Sequence, residues 1–206
     1  MARQRRQRWV FDGWIAGLGT AEGTRLVIGR WPRSPFGPIV DVMIETAAGH
    51  RRLIAPRQDV ADFIAATYTF DEVEIAPVGV TAHRREWSVS AGPLSVAFEL
   101  GRRRPLGLLL RTVPPPLARR PFWVSTIDRP ARLLLPGVRT TGSAGNGRRE
   151  WYGAQDLQPI RAAVAWLDGK DLGGLAKVDP PVRFGFASVP PEPGLVRVTT
   201  TVEAGH

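Results

Sequence analysis

A chain of 206 residues with 43% apolar content is long enough to bury one full core, and the absence of cysteine excludes disulfide frameworks, thiolate nucleophiles and Cys-ligated zinc. The net charge of +9 is confined to two stretches, Arg3 to Arg8 and Arg102 to Arg120, which hold ten of the 28 basic residues and none of the 19 acidic ones. The remaining 18 basic and 19 acidic groups nearly cancel, so the body lacks the spread cationic face of a nucleic-acid binder.

Residues 1–8 read as a disordered basic tail. The following Trp9-Val10-Phe11-Asp12-Gly13-Trp14 carries an acid that interrupts any apolar signal segment. The run Leu106-Gly107-Leu108-Leu109-Leu110 falls far short of the ~20 residues of a spanning helix, and the expected location is the cytoplasm. Lys170 and Lys177 are the only lysines; this arginine bias, with abundant Ala, Gly and Pro, reads as a GC-rich bacterial genome.

In chain order, alternation of apolar and polar residues predicts strands over 9–18, 24–31, 38–46 and 51–55. Val60, Phe63, Ile64 and Thr67 then fall at helical spacing behind Pro56, predicting a helix over 57–68. Strands resume over 70–78, 80–89 and 94–100. Pro114-Pro115-Pro116 cannot sit in a regular ladder, so 102–121 reads as a basic connector outside the core. A second, shorter helix is expected from Asp128 through Leu135. Strands over 148–155 and 160–167 are bracketed by Asn146-Gly147 and Asp168-Gly169, which suit tight hairpin turns. The last strands are 182–186 and 196–202, separated by the Pro190 to Gly194 reversal.

These elements predict a single all-β domain over 9–203 with one or two short helices. The expected architecture is an antiparallel barrel or two packed sheets, lipocalin-like in style, whose halves 9–101 and 122–203 are joined by the 102–121 crossover.

Most motif-like features reduce to ordinary structure. Gly17 to Gly23 resembles a dinucleotide loop, but Glu22 replaces the third glycine and a strand succeeds it where a helix is needed, leaving a hairpin loop. No Gly-x-Ser-x-Gly is present. Glu72 and Glu74 share a strand face at a separation of ~7 Å. The simpler account is a solvated face with Val73 and Ile75 turned inward. His50 and His83 lack metal-ligand spacing, so no metal is expected. Lys177, if turned inward, would be readied for Schiff-base chemistry by a lowered pKa.

Tryptophans carry more information. Trp166 shares a face with Ile160, Ala162 and Val164 and reads as core. Trp14 shares a face with Asp12, Trp31 adjoins Arg30, and Trp151-Tyr152 comes directly after Arg148-Arg149-Glu150. Aromatic surface with a few polar groups suits a pocket for a largely apolar ligand, which makes Trp14, Arg30, Trp31, Trp151 and Tyr152 the ligand-binding candidates.

The leading expectation is therefore a protein that binds a small, mainly apolar ligand in a barrel pocket without a cofactor. An alternative is a metal-free lyase, isomerase or cyclase on a lipid-like substrate, with Asp12, Asp41 or Glu150 as acid or base. A further alternative places Arg102, Arg103 and Arg104, interleaved with leucines, on an anionic membrane surface. Nucleic acid is disfavoured, because the basic stretch lacks stacking aromatics until Phe122-Trp123. Oligomeric state is open.

Overall fold

The computed structural model describes residues 6–118, 120, 122–126, 140–143, 145–185 and 189–204. Its strands are β1 (Arg8–Thr20), β2 (Arg25–Arg33), β3 (Ile39–Glu45), β4 (Arg51–Ala55), β5 (Glu72–Ile75), β6 (Val78–His83), β7 (Glu86–Ala91) and β8 (Leu94–Leu100). They continue with β9 (Thr141–Ser143), β10 (Arg149–Leu167), β11 (Lys170–Asp171), β12 (Leu175–Ala176) and β13 (Gly194–Glu203). The helices are α1 (Gln58–Ala65), α2 (Pro105–Thr112) and α3 (Pro115–Ala118), with a further helical turn over 122–126.

All strands belong to one sheet whose main path runs β5-β4-β3-β2-β1-β13-β10-β8-β7-β6. The fold is mostly β, as the alternation implies. Strands of the two sequence halves interleave: β1 lies between β2 and β13, and β10 between β13 and β8. Pairing is antiparallel throughout the main path except between β4 and β5, which are parallel and joined by α1. A parallel pair needs a crossover, and α1 supplies it.

The sheet curls so that β7 and β8 face β1 to β3. Leu18, Leu26, Val42 and Ile44 from one side meet Trp87, Val89, Leu94 and Val96 from the other in a single buried cluster. The opposite face of β1 to β4 and β13 is covered by α1, where Phe11, Trp31, Leu53, Val198 and Val202 pack with Val60 and Ile64. Period-two alternation thus serves two cores, one on each side of the same strands.

β10 joins these regions. Its first half pairs with β13 and its second with β8, with register shifts between Ala154 and Asp156 and between Ile160 and Ala162. Each shift reverses which side chains point inward. Consequently Ala165 and Leu167 pack with the core, while Val164 is 50% and Trp166 40% exposed. Trp166 is not core, because the bulge at 160 to 162 inverts the expected face.

Other expectations are also corrected. Val182 and Phe184 are buried as alternation requires, but the chain there makes no ladder; it lies across Val27 and Tyr68 as an apolar strap. The expected strand 80–89 is the β6–β7 hairpin, turning at Arg84 with φ of 52°. Val73 and Ile75 are exposed at 44% and 45%, and it is Glu72 and Glu74 that fold against Arg52. The 102–121 connector contributes to packing: Gly107 of α2 lies so close to β10 that a Cβ there would be 2.1 Å from the Leu157 carbonyl oxygen, and Ala118 is buried. Arg6 and Arg8, read as tail, bind the Glu203 carboxylate across β1 and β13. The expected helix from Asp128 lies outside the described residues. Among the described residues no helix is long and apolar enough to cross a membrane.

Candidate functional site

The interior of the curl is occupied by packed side chains. A cavity lies on the other face, between β10, β13, β1, β2 and β3 below and α1 with Val182, Phe184, Gly185 and Val189 above. It measures about 70 Å³ and its wall is chiefly apolar, with Phe11, Ile15, Val27, Met43 and Phe63 among the lining residues. At ~10–15 Å³ for each enclosed water, this space holds about half a dozen non-hydrogen atoms of a ligand.

Polar groups enter the wall at both ends. Asp41 sits on β3, separated by β2, β1 and β13 from Glu150 on β10, so the two carboxyls stand at opposite ends of the cavity. Asp41 is 3% exposed, and its Oδ1 accepts a 2.8 Å hydrogen bond from Trp31 Nε1. Burial pushes its pKa up to about 7, against the lowering effect of that bond. Gly29 on β2 leaves room for this pair: a Cβ there would lie 2.5 Å from both Asp41 Oδ1 and Trp31 Nε1. Glycine at this position is dictated by the side-chain pair it accommodates.

At the far end Glu150 is 1% exposed. Tyr68 donates its hydroxyl to Glu150 Oε1 at 2.7 Å, and the Tyr152 hydroxyl lies 3.0 Å from that of Tyr68. Because Tyr68 spends its proton on Glu150, Tyr152 is the donor in the second bond. Burial raises Glu150 to about 7, opposed by the Tyr68 bond and the charge of Arg148. The same burial, with the nearby carboxylate, raises Tyr68 well above the ordinary phenol range. Arg148 reaches the Phe63 carbonyl and Thr67 hydroxyl and covers the Phe63 ring, pinning the end of α1 beside Glu150.

The residues singled out from sequence are divided by the fold. Trp31 and Tyr152 line the cavity. Trp14 and Arg30 point to the other face, where the Arg30 guanidinium lies 5.2 Å from the Trp14 ring and 5.5 Å from Trp87 inside the curl. Trp151 also faces away, donating to Ser125. Of the acids, Asp12 is not in the cavity: burial raises its pKa, but hydrogen bonds from Thr199, Arg197 and Arg33 outweigh this and leave it lowered. Lys177 is exposed and paired with Glu192 at 2.8 Å, which raises its pKa, the opposite of the lowering that Schiff-base chemistry needs. His50 bonds Glu72. Among the described residues no group of three or more His, Asp or Glu is placed to hold a metal ion.

Tyr68, Thr200 and Gly29 carry no signal of their own in the sequence. Tyr68 lies just past the helix, between Thr67 and Thr69, in no recognisable motif; Thr200 sits in a run of three threonines on β13. The alternation of β13 does place Thr200 on the same face as Val198 and Val202, which is the one available clue.

No protein-family model matches the sequence. No curated protein matches it. Two solved structures are similar in shape. One is acetoacetate decarboxylase from Legionella pneumophila, at 7% identity and a TM-score of 0.45 over 97% of this chain and 86% of that one. The other is a protein assigned as AttH from Nitrosomonas europaea, at 12% identity and a TM-score of 0.32 over 97% of this chain and 52% of that one. The site stands on its own side chains.

Proposed function

We propose that the protein binds a small ligand with an apolar body in the cavity beneath α1, not in the interior of the curl. The observation that carries this reading is an aromatic-walled space with a buried, incompletely bonded carboxyl at one end: Glu150 Oε2 has no hydrogen-bond partner among the described residues. A buried polar atom left in this state costs about 1–3 kcal/mol, and a ligand that satisfies it recovers that cost. The test is titration with isoamyl alcohol, a molecule of about six non-hydrogen atoms matched to the cavity, monitored by tryptophan fluorescence and calorimetry. Saturable binding with a change in Trp31 emission is expected. Absence of saturation up to the solubility limit contradicts the reading.

A second reading is favoured by the two carboxyls near pKa 7. Such groups are part ionised at neutral pH and can take a proton in one step and return it in the next, as a lyase, isomerase or cyclase requires. Exchange of the α-hydrogens of a small branched ketone into deuterated water, abolished by Asp41→Asn, would support it. Exchange at the buffer rate rejects it.

For the basic crossover, association with an anionic lipid surface is supported by Leu108, Leu109 and Phe122, exposed at 54%, 58% and 79% beside Arg102 and Arg104. Arg103 is tied to Asp156. Flotation with anionic vesicles that is unchanged when Arg102, Arg103 and Arg104 become alanine rules this out.

A further inference from the structure

The hydrogen-bonding inventory of the cavity narrows the class of ligand, given that the cavity binds one. Among the described residues, the side-chain donors of the wall other than the Thr200 hydroxyl are spent within it. Trp31 Nε1 donates to Asp41, Tyr68 to Glu150, Tyr152 to Tyr68, and Thr67 to the Phe63 carbonyl. Two buried side-chain atoms are left over, Glu150 Oε2 and Thr200 Oγ1, and both residues line the cavity. One is a carboxyl oxygen and the other a hydroxyl, which accepts as readily as it donates. Tyr152 pairs with Thr200 across β10 and β13, and Glu150 stands two residues from Tyr152 on the same face, so the leftover atoms belong to one corner. That corner calls for a ligand that donates.

Charge points the same way. Among the described residues, the lining includes two carboxyls, Asp41 and Glu150, and no Lys, Arg or His. A carboxylate ligand entering this space would meet like charge with no cation among the described lining residues. An ammonium would meet a carboxylate in a wall built from the rings of Phe11, Trp31, Phe63, Tyr68 and Tyr152, a residue class whose faces attract cations through the ring quadrupole.

We propose that the ligand is a small aliphatic or aromatic amine, bound as the ammonium, whose N–H groups donate to Glu150 Oε2 and Thr200 Oγ1 while its apolar body fills the space toward Met43. Binding is then coupled to ionisation of Glu150. The charged and titratable groups around that carboxyl are Tyr68 from the segment after α1, Tyr152 and Arg148 from β10 and its approach, and Asp41 across the cavity. Tyr68, held well above the ordinary phenol range by burial, stays neutral, and the Arg148 guanidinium keeps its charge, so the pH dependence below neutrality falls to the carboxyls.

The experiment compares isoamylamine, isoamyl alcohol and isovalerate, matched in shape and differing in charge, by calorimetry on the full chain. At about pH 8.5 the amine is expected to bind at least about tenfold more tightly than the alcohol, with isovalerate weakest. Below the Glu150 midpoint, amine affinity is expected to fall by about tenfold per pH unit while alcohol affinity does not. Glu150→Gln should erase the preference for the amine. Thr200→Val, a near-isosteric change, should reduce it by severalfold and guards against a folding defect in the Gln variant. Alcohol binding equal to or tighter than amine binding overturns this proposal while leaving the cavity reading intact. Failure of all three probes to bind overturns both.

Discussion

Asp41 and Glu150 have a consequence for stability that does not depend on any ligand. Both carboxyls have folded pKa values raised to about 7 from ordinary values of 3.8 and 4.5. Between those limits the folded state holds more protons than the unfolded one, so stability falls as pH rises through this window. Shifts of this size amount to a few kcal/mol at the upper end. Asp12 and Glu203, lowered in the fold by their arginine partners, act oppositely, but only as pH falls through the acid range below about 4. Urea unfolding should therefore give higher stability near pH 5 than near pH 8, and Asp41→Asn should flatten that slope. A profile rising monotonically from pH 5 to 8 would contradict burial of the pair. At the same scale, Gly29→Ala forces a methyl against Asp41 and Trp31; it is expected to cost about 1–3 kcal/mol and to abolish isoamyl alcohol binding. A variant that keeps both stability and binding would show that the Trp31–Asp41 bond does not shape the cavity.

Among the elements, β10 shows where side-chain alternation informs and where it misleads. Its sequence reads as two strands with a break near Pro159, yet it runs unbroken from Arg149 to Leu167, and each bulge changes the facing of the residues beyond it. A bulge adds one residue without any composition of its own, so the parity switch at Ile160 to Ala162 is not legible in the sequence, and alternation puts Trp166 on the wrong side. Two valines on adjoining strands make this testable. Val164, half exposed, should tolerate threonine at a cost below about 0.5 kcal/mol, whereas Val96, 1% exposed on the adjoining β8, should lose about 1–3 kcal/mol on the same change. Equal costs would restore the uninterrupted alternation. The helix α1 is legible because Val60 and Ile64 bury a face at helical spacing, as is the Asp168-Gly169 turn, where both residues take positive φ of 53° and 76°. The strap through Val182 and Phe184 is half legible: alternation reports its burial but not its lack of ladder bonds, since tertiary packing alone buries these side chains.

In the whole molecule, the sheet carries a packed core on one side and, on the other, a second core that encloses a cavity of about 70 Å³. Prevalent alternation and turn chemistry announce a curled β protein, and they suggest that any pocket would be enclosed by strands. Which face is filled depends on side-chain volumes meeting across the curl. Trp87, Phe98 and Trp14, with Arg30 stacked between rings, occupy the interior, while glycines and a short helix leave room on the other face. Such long-range complementarity has no local signature. This also explains why aromatics alone do not locate the site: Trp14 and Trp31 lie on neighbouring strands yet point to opposite sides.

The place of binding can be read from a single methionine. The chain has two methionines, Met1 and Met43, and Met43 lines the cavity on β3. With carbon-13 in the methionine, isoleucine and valine methyl groups, titration with isoamyl alcohol and isoamylamine should shift Met43, Ile15 and Val27 progressively. Val89 and Val96, inside the curl, should stay unmoved. Shifts concentrated at Val89 and Val96 with Met43 unchanged, or no shifts at all, would contradict a ligand site beneath α1.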